Sequence, residues 1–437
     1  MSTEIIEEPA ERQRPGAPID PDYPMTPVPP SARKSFWSLI VVLLGFTVFT
    51  PTMLAGATIG ASFAFGPLLV VVGIGSALLG TYVAVMGYVG SRTRLTTVMM
   101  ARYSFGTRGS KLASLLLGGT QVGWYGVVVG TIGDLTAQAL GLQDNPLARA
   151  LLIVVPSALM CWNALRGYRG MYLASAIATP LALLLAFWVA FRSIQEVGGV
   201  SELFAVEPAG QMSIAVAITT VVGTFVSAGT QVPNWTRFAV TPRDAVVACI
   251  SAFVIGNGLM ILFGAIGATA FGIGDYVEIL YALGLTVAGV LLLFGNLWTT
   301  NTDTAYAFGV AGAEMFDKPT KTPFIIGGAT IATLLALFGI QNHLIDYLGL
   351  LGTFIPPVGG VIIADWLRRW RHGLVDVATL PALDLRNIAA YVVAGAAAYV
   401  SASLEIGVPP VIGVAVAMAL VLLLPRPRPV GAPTTNA

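Results

Sequence analysis

Apolar segments long enough to cross a lipid bilayer recur along this chain, with short polar stretches between them. A membrane-spanning helix needs about 20 mostly apolar residues. Twelve candidates meet this length: 36–62, 66–90, 112–140, 148–165, 171–192, 212–232, 243–272, 279–308, 323–340, 343–365, 387–404 and 408–425. The pattern predicts an all-α polytopic membrane protein with one integral domain over residues 36–425.

Composition excludes most other classes of protein. Only 10% of the 437 residues are charged and 56% are hydrophobic, so polar side chains cannot cover the surface of a water-soluble globule. A net charge of +1 does not suit a nucleic-acid-binding protein. The two cysteines and two histidines match no metal-ligand or catalytic spacing. We therefore expect a protein that is not an enzyme and has no resident cofactor.

Lysine and arginine are distributed unevenly between the two sides that twelve spans would create. All but two of the 23 fall on the side of the N-terminus, the exceptions being Arg149 and Arg192. Positive residues concentrate on the cytoplasmic side of a membrane, which predicts a plasma-membrane protein with both termini cytoplasmic. Residues 1–35 are rich in charge and proline without an apolar core, so we predict a disordered tail. Residues 426–437 form a second, shorter cytoplasmic tail.

Two of the predicted spans contain helix-breaking sequences. Span 1 holds Thr-Pro-Thr at 50–52 and a glycine-rich run at 56–60, and span 6 holds a run with one proline at 227–234. Weak helix formers and proline interrupt helices. Because the two spans are five apart, the pattern predicts inverted five-helix repeats with helices 1 and 6 broken. The repeats would cover about 36–192 and 212–365, with extra helices at 387–425. Packing kinks are the alternative explanation of each break.

Spans 3 and 6 carry residues suited to a flat polar ligand. Gln121 and Trp124 are three residues apart, so they share one helix face. An amide and an indole could bind a planar heterocycle between them. In span 6, Phe225 could stack on the second face of such a ligand and Ser227 could bond its rim. Ordinary helix packing is the alternative for each residue.

Span 8 carries neutral oxygens on one face. Asn296, Thr299 and Thr300 stand at i, i+3 and i+4, and neutral oxygens suit a monovalent cation that must bind and leave. At ~100° per residue, Asn301 points about 200° away from Thr299 and could reach a substrate. Asp303 could be a proton relay or a structurally paired carboxylate.

The chain resembles the purine–cytosine permease type of nucleobase:cation symporter, and within that family its bacterial cytosine permeases. The resemblance runs from about Pro27 to about Pro425. The matching motifs are PVPPSARK at 27–34, ARYSFG at 101–106, the stretch 115–126, SAGT at 227–230, WTTN at 298–301 and IPPVGGVIIAD at 355–365.

This resemblance implies a leucine-transporter-like fold of ten core helices in two inverted halves plus two C-terminal helices. It implies import of cytosine by sodium-coupled symport with alternating access. Its substrate positions correspond to Gln121, Trp124, Phe225, Ser227 and Asn301, with the base between Trp124 and Phe225. Its sodium positions correspond to Asn296, Thr299 and Thr300, with main-chain carbonyls near Gly45 and Phe49.

The expected partners are therefore a nucleobase, a sodium ion and the lipid bilayer, without nucleic acid or an obligate protein partner. Residues 231–238 and the position of Asp303 differ from the relatives' pattern. A second hypothesis is therefore a proton- or sodium-coupled importer of a purine, hydroxymethylpyrimidine, uracil or hydantoin.

Overall fold

The computed structural model describes residues 20, 22–208, 210–272, 279, 284 and 286–424, and helices dominate throughout this part of the chain. The first half contains α1 Phe36–Thr47, α2 Thr50–Gly60, α3 Phe65–Thr93, α4 Thr97–Phe105, α5 Ser110–Ala139, α6 Pro146–Ala164, α7 Tyr168–Glu196 and α8 Val200–Ala205. The second half contains α9 Ile214–Gly223, α10 Val226–Thr230, α11 Pro233–Thr236, α12 Pro242–Ile250, α13 Asn257–Phe271, α14 Thr286–Met315, α15 Thr322–Leu337, α16 Leu344–Phe354, α17 Pro356–Asp365, α18 Leu385–Ser403 and α19 Pro409–Leu423.

Each predicted span coincides with helix wherever the structure describes the chain. Within the described residues, seven helical stretches are long and apolar enough to cross a bilayer, or eight if the bent pair α1 and α2 is one span. Helices α9, α15 and α19 are apolar but shorter. The protein is thus a multi-pass membrane protein, and the count of twelve spans stays a prediction.

The first broken span is interrupted earlier than predicted. Helices α1 and α2 meet at an angle of 53°, and the break lies at Val48 and Phe49, which have extended backbones. The predicted breakers at 50–52 and 56–60 lie inside α2, so their assignment was wrong. Pro51 occupies the first turn of α2, where its missing N–H costs no hydrogen bond and its fixed φ favours helix initiation.

The second broken span shows the same shift. Its main interruption is at Thr224 and Phe225, between α9 and α10. The predicted break at 227–234 covers most of α10, a second, shorter interruption at Gln231 and Val232, and the start of α11, which Pro233 opens. The two spans were predicted correctly, but in both cases the proline starts a helix instead of ending one.

Close backbone contact between α2 and α13 holds the second half of span 1 in place. At Gly56 of α2, an added Cβ would lie 2.0 Å from the carbonyl oxygen of Ile261, and at Gly264 of α13 it would lie 2.0 Å from that of Met53. Only glycine permits this approach. On the other side of the break, α14 packs along α5 and also touches α1. The core therefore places α5 and α14 beside both breaks.

The segment before α1 packs against the helices, which corrects part of the predicted disorder. Lys321, next to α15, pairs with Asp20 at 2.6 Å and with Asp22 at 2.8 Å, and all three side chains are buried. Arg237 donates to the carbonyl oxygen of Tyr23 at 2.6 Å. Composition alone does not reveal these buried partners. The prediction of a disordered tail is therefore wrong for residues 22–35. Residues 1–19 and 426–437 lie outside the described residues.

Replacing Lys321 with methionine is expected to release this N-terminal segment. The change leaves Asp20 and Asp22 buried without their cation, and breaking a buried pair from one side typically costs about 3–5 kcal/mol. We expect a lower apparent unfolding temperature of the purified protein and faster proteolysis within residues 22–35. Lys318→Met, at an exposed position of the same loop, is the matched control. Equal proteolysis of both variants would contradict the buried pairing.

Candidate functional site

A small internal cavity of about 10 Å³ lies where the two breaks meet α5 and α14. Its lining comes from the end of α1 and the break after it, from α5, from the break between α9 and α10, and from α14. The lining residues are Phe46, Phe49, Gln121, Trp124, Val128, Thr224, Phe225, Ala228, Thr300 and Thr304. This volume holds about one water molecule, so a larger ligand requires the walls to move apart.

Aromatic rings form most of the wall. The ring of Phe49 lies edge-on to Trp124, with centroids 5.7 Å apart, and to Phe225 at 5.8 Å. Phe46 also meets Phe225 edge-on at 5.6 Å. Trp124 and Phe225 thus line one cavity, and Phe49 contacts both. A flat ligand between the two plates would take over contacts that Phe49 now makes.

A cluster of hydroxyl and amide groups lies beside these rings. The Gln121 amide donates to Ser227 Oγ at 3.2 Å. The hydroxyls of Ser227 and Thr120 are 2.8 Å apart. Gln121 and Ser227 are both buried, and of this cluster Gln121 lines the cavity while Ser227 lies behind it on α10. Thr120 was not among the predicted residues.

Asn301 is placed away from the cavity. Its amide nitrogen lies 3.4 Å from the carbonyl oxygen of Tyr125 and 3.4 Å from the sulfur of Met160. The residues of α14 that line the cavity are Thr300 and Thr304, one helical turn apart. Because successive helix residues point about 100° apart, only one of Thr300 and Asn301 can face this wall. The substrate role of Asn301 stays a prediction.

The residues predicted to hold a cation gather around the break of span 1. Asn296 Oδ1 accepts from the backbone N–H and the hydroxyl of Thr50 at 2.7 and 2.9 Å. Thr299 donates to the carbonyl oxygen of Gly45 at 2.9 Å, and Thr300 donates to that of Phe46 at 3.2 Å. This face of α14 is therefore hydrogen-bonded to the broken helix, and its role in holding a cation stays a prediction.

One backbone oxygen differs from the expected set. The Asn296 amide donates to the carbonyl oxygen of Val48, whereas the carbonyl oxygen of Phe49 accepts from Thr52 N at 3.1 Å. Hydroxyl groups can rotate to present oxygen instead of hydrogen, so the arrangement suits a hard monovalent cation. No cluster of three or more His, Cys, Asp or Glu residues occurs in the described part of the chain.

Packed side chains close the cavity toward the N-terminal segment. Trp235 lies against Phe46 with ring centroids 4.9 Å apart, and its Nε1 donates to Asp303 Oδ1 at 3.0 Å. Asp303 is fully buried and is not among the cavity-lining residues. One carboxylate oxygen of Asp303 is thus paired with Trp235, while the second has no hydrogen-bond partner among the described residues.

Tyr347 of α16 closes the opposite side. Its ring meets Trp124 edge-on at 5.7 Å, and its hydroxyl donates to the carbonyl oxygen of Thr120. Sequence reasoning missed this residue, because nothing local marks it as a neighbour of α5. It also missed Phe46 and Thr304, although Thr304 follows Thr300 at i+4 and could have been found from helical spacing. Packed aromatic rings thus lie beside the cavity in both directions.

Two discontinuous helices that meet intact helices at a buried midpoint are characteristic of secondary transporters. The solved structure of Mhp1, a nucleobase-cation-symport-1 family transporter in a closed conformation with bromovinylhydantoin bound, matches with a TM-score of 0.76 at 17% identity, over 91% of this chain and 93% of that chain. A Na⁺-coupled sialic acid symporter matches with a TM-score of 0.65 at 14% identity, over 90% of this chain and 89% of that chain. These likenesses confirm the leucine-transporter-like fold.

The family model described as permease for cytosine/purines, uracil, thiamine and allantoin matches residues 27–424. The cytosine permease of Escherichia coli strain K12 is 40% identical over 356 residues, which cover 81% of this chain and 83% of that protein. The purine-uracil permease NCS1 of Arabidopsis thaliana is 23% identical over 402 residues, covering 82% of this chain and 65% of that protein. The chain belongs to this permease family, so it is a transporter and not an enzyme.

Proposed function

We propose that this protein imports cytosine across the plasma membrane by sodium-coupled symport with alternating access. The observation that carries the proposal is the cavity in which Trp124, Phe225 and Gln121 meet beside the neutral oxygens around Asn296. The similarity to a protein named cytosine permease supports the choice of base. The concentration of lysine and arginine on the side of the N-terminus supports cytoplasmic termini.

The base would lie between Trp124 and Phe225, since aromatic plates stack on a nucleobase whatever its polar edge. The polar edge would then be bonded by Gln121, Ser227 and Thr120, whose side chains hydrogen-bond one another beside the cavity. The cavity must widen from about 10 Å³ for the base to enter. Movement of Phe49 away from the two plates would provide this room.

Thr300 would couple the two ligands. Its side chain lines the cavity, and its hydroxyl bonds the carbonyl oxygen of Phe46 across the break of span 1. A sodium ion bound by Thr299, Thr300 and Asn296 would hold α1 against α14 and fix the same wall of the base site. One cation entering down a ~100 mV potential supplies about 2.3 kcal/mol. That energy supports roughly 50-fold accumulation of a neutral base.

The test is uptake of labelled cytosine into proteoliposomes with an inward sodium gradient, compared with potassium in its place. We expect saturable, sodium-dependent accumulation. Unlabelled adenine, hypoxanthine, uracil, hydroxymethylpyrimidine and hydantoin, each added in excess, define the specificity. Equal uptake in sodium and potassium would overturn sodium coupling, and stronger competition by another ring than by cytosine would overturn the choice of base.

A second candidate keeps the fold but couples a related heterocycle to protons. It is favoured by Asp303, a fully buried carboxylate with one unpartnered oxygen among the described residues. Uptake driven by a proton gradient without sodium, and lost in Asp303→Asn, would support it. Asparagine keeps an oxygen that accepts the hydrogen bond from Trp235 but cannot bind a proton. This variant therefore tests proton binding while the hydrogen bond is retained.

Tyr347→Phe is expected to weaken retention of the base. The variant keeps the ring against Trp124 but loses the hydrogen bond to Thr120, which is worth about 1 kcal/mol or roughly fivefold in a rate or affinity. We expect cytosine to dissociate about that much faster in a filter-binding assay. Tyr399→Phe, at an exposed position, is the control. Equal dissociation from both variants would show that Tyr347 does not close the site.

A further inference from the structure

A second and larger cavity lies toward the end of the molecule opposite the N-terminal segment. Its volume is about 210 Å³, and none of its lining residues lines the central cavity. The walls come from α2, from α9 and the residue Met212 before it, from α16, and from the hairpin between α18 and α19. Pockets for drug-sized ligands measure about 300–1,000 Å³, so this cavity suits a smaller molecule.

The lining does not suit a nucleobase. It contains no aromatic ring and no side-chain amide among the described residues, and most of it is aliphatic. Thr58, Thr219 and Thr220 contribute hydroxyls, but each donates to a carbonyl oxygen of its own helix at 2.7–3.0 Å. The walls therefore suit the apolar part of a ligand but provide no aromatic ring on which a base could stack.

One carboxylate supplies charge. Glu405 lies on the turn after α18 and has a left-handed backbone with φ 54°. The turn is held by Ile406 N, which donates to Ser401 O at 3.0 Å, and by the Ser401 hydroxyl, which donates back to Ile406 O. Glu405 is exposed, has no salt bridge among the described residues, and is the charged member of the lining. A negative group at the edge of an apolar cavity attracts an organic cation.

We propose that this cavity binds a small organic ammonium ion with a compact apolar body, whose charge pairs with Glu405. Helices α2 and α9 are the halves of the two broken spans that lead away from the central cavity, and here they face α16 and the hairpin. A ligand that fills the gap fixes the spacing of these elements. It therefore slows transport without occupying the base site, which lowers the maximal rate and leaves the KM for the base unchanged.

Binding is tested by titration calorimetry of the purified full chain with phenethylammonium, and 2-phenylethanol serves as the uncharged probe of similar shape. We expect saturable binding of the ammonium ion only. Glu405→Gln should weaken it about tenfold, as expected for loss of a charged partner. Glu202→Gln, at an exposed position in α8, should leave it unchanged.

Filling the cavity gives an independent test. A Cβ added at Gly349 meets no atom within 4 Å, so Gly349→Leu should fold and abolish binding. Gly73→Leu, whose Cβ also meets no atom within 4 Å, is the control and should bind normally. Equal binding of 2-phenylethanol, unchanged binding by Glu405→Gln, or displacement of the probe by excess cytosine would overturn the proposal.

The consequence for transport is measured as cytosine uptake with increasing phenethylammonium. A higher KM, or unaltered uptake at saturating probe, would overturn the proposed effect on transport. Calorimetry measures binding of the ammonium ion without any uptake. Loss of this site would therefore appear as absent binding, whereas failure of the proposed import function would appear as absent cytosine uptake.

Discussion

Trp124→Ala is expected to lower the affinity for cytosine by about 5- to 150-fold, since a base–aromatic stack is worth about 1–3 kcal/mol. Trp124 is only 8% exposed and lines the central cavity. Its ring also supports Phe49 and Tyr347 through edge-on contacts. Its removal would delete one plate of the base site and loosen the two rings beside it. Equilibrium binding of labelled cytosine to purified protein in saturating sodium measures the effect.

The matched control is Trp162→Ala, because Trp162 is 63% exposed on α6 and lies outside the cavity lining. Trp124→Phe should recover part of the affinity, because it restores a smaller plate. If the Trp124→Ala protein folds and binds cytosine as tightly as the Trp162→Ala control, Trp124 does not stack on the base.

Asn296→Ala is expected to remove sodium stimulation of both base binding and uptake. The side chain accepts two hydrogen bonds from Thr50 and donates one to Val48, so its loss weakens the attachment of the break in span 1 to α14. Each neutral hydrogen bond of this kind is worth about 0.5–1.5 kcal/mol, so losing three costs more than about 1.5 kcal/mol. We therefore expect the sodium concentration for half-maximal binding of cytosine to rise more than about tenfold.

A milder variant guards against misfolding of Asn296→Ala. Thr299→Val removes the hydroxyl that donates to Gly45 O but leaves the Asn296 contacts in place, and it should raise the sodium requirement by a smaller factor. Thr330→Val, which removes an exposed hydroxyl bonded within its own helix, is the control. If base binding by the unaltered protein proves independent of sodium, or if Thr299→Val and Thr330→Val behave alike, the proposed coupling is wrong.

The sequence was most informative about helices and their faces. Within the described residues, every predicted span falls on helix within a few residues of its bounds, because a run of about 20 apolar residues is what a helix needs to cross the bilayer. Regular helical spacing also placed Gln121 and Trp124 on one wall of the cavity and Asn296 and Thr299 on one face toward α1. The break positions were less predictable, since the same proline can end one helix or begin the next.

What the amino-acid sequence determined by itself is the set of spanning helices and the chemistry that each presents on one face, because the period of a helix converts spacing into direction. The tertiary structure decided which faces meet. It set the contacts of Asn296 with Thr50, 246 positions apart in the chain, the place of Phe49 against both Trp124 and Phe225, and the order of the segment before α1. No local rule encodes these contacts, because each depends on how close two separate helices approach and on which side chains then fill the space between them.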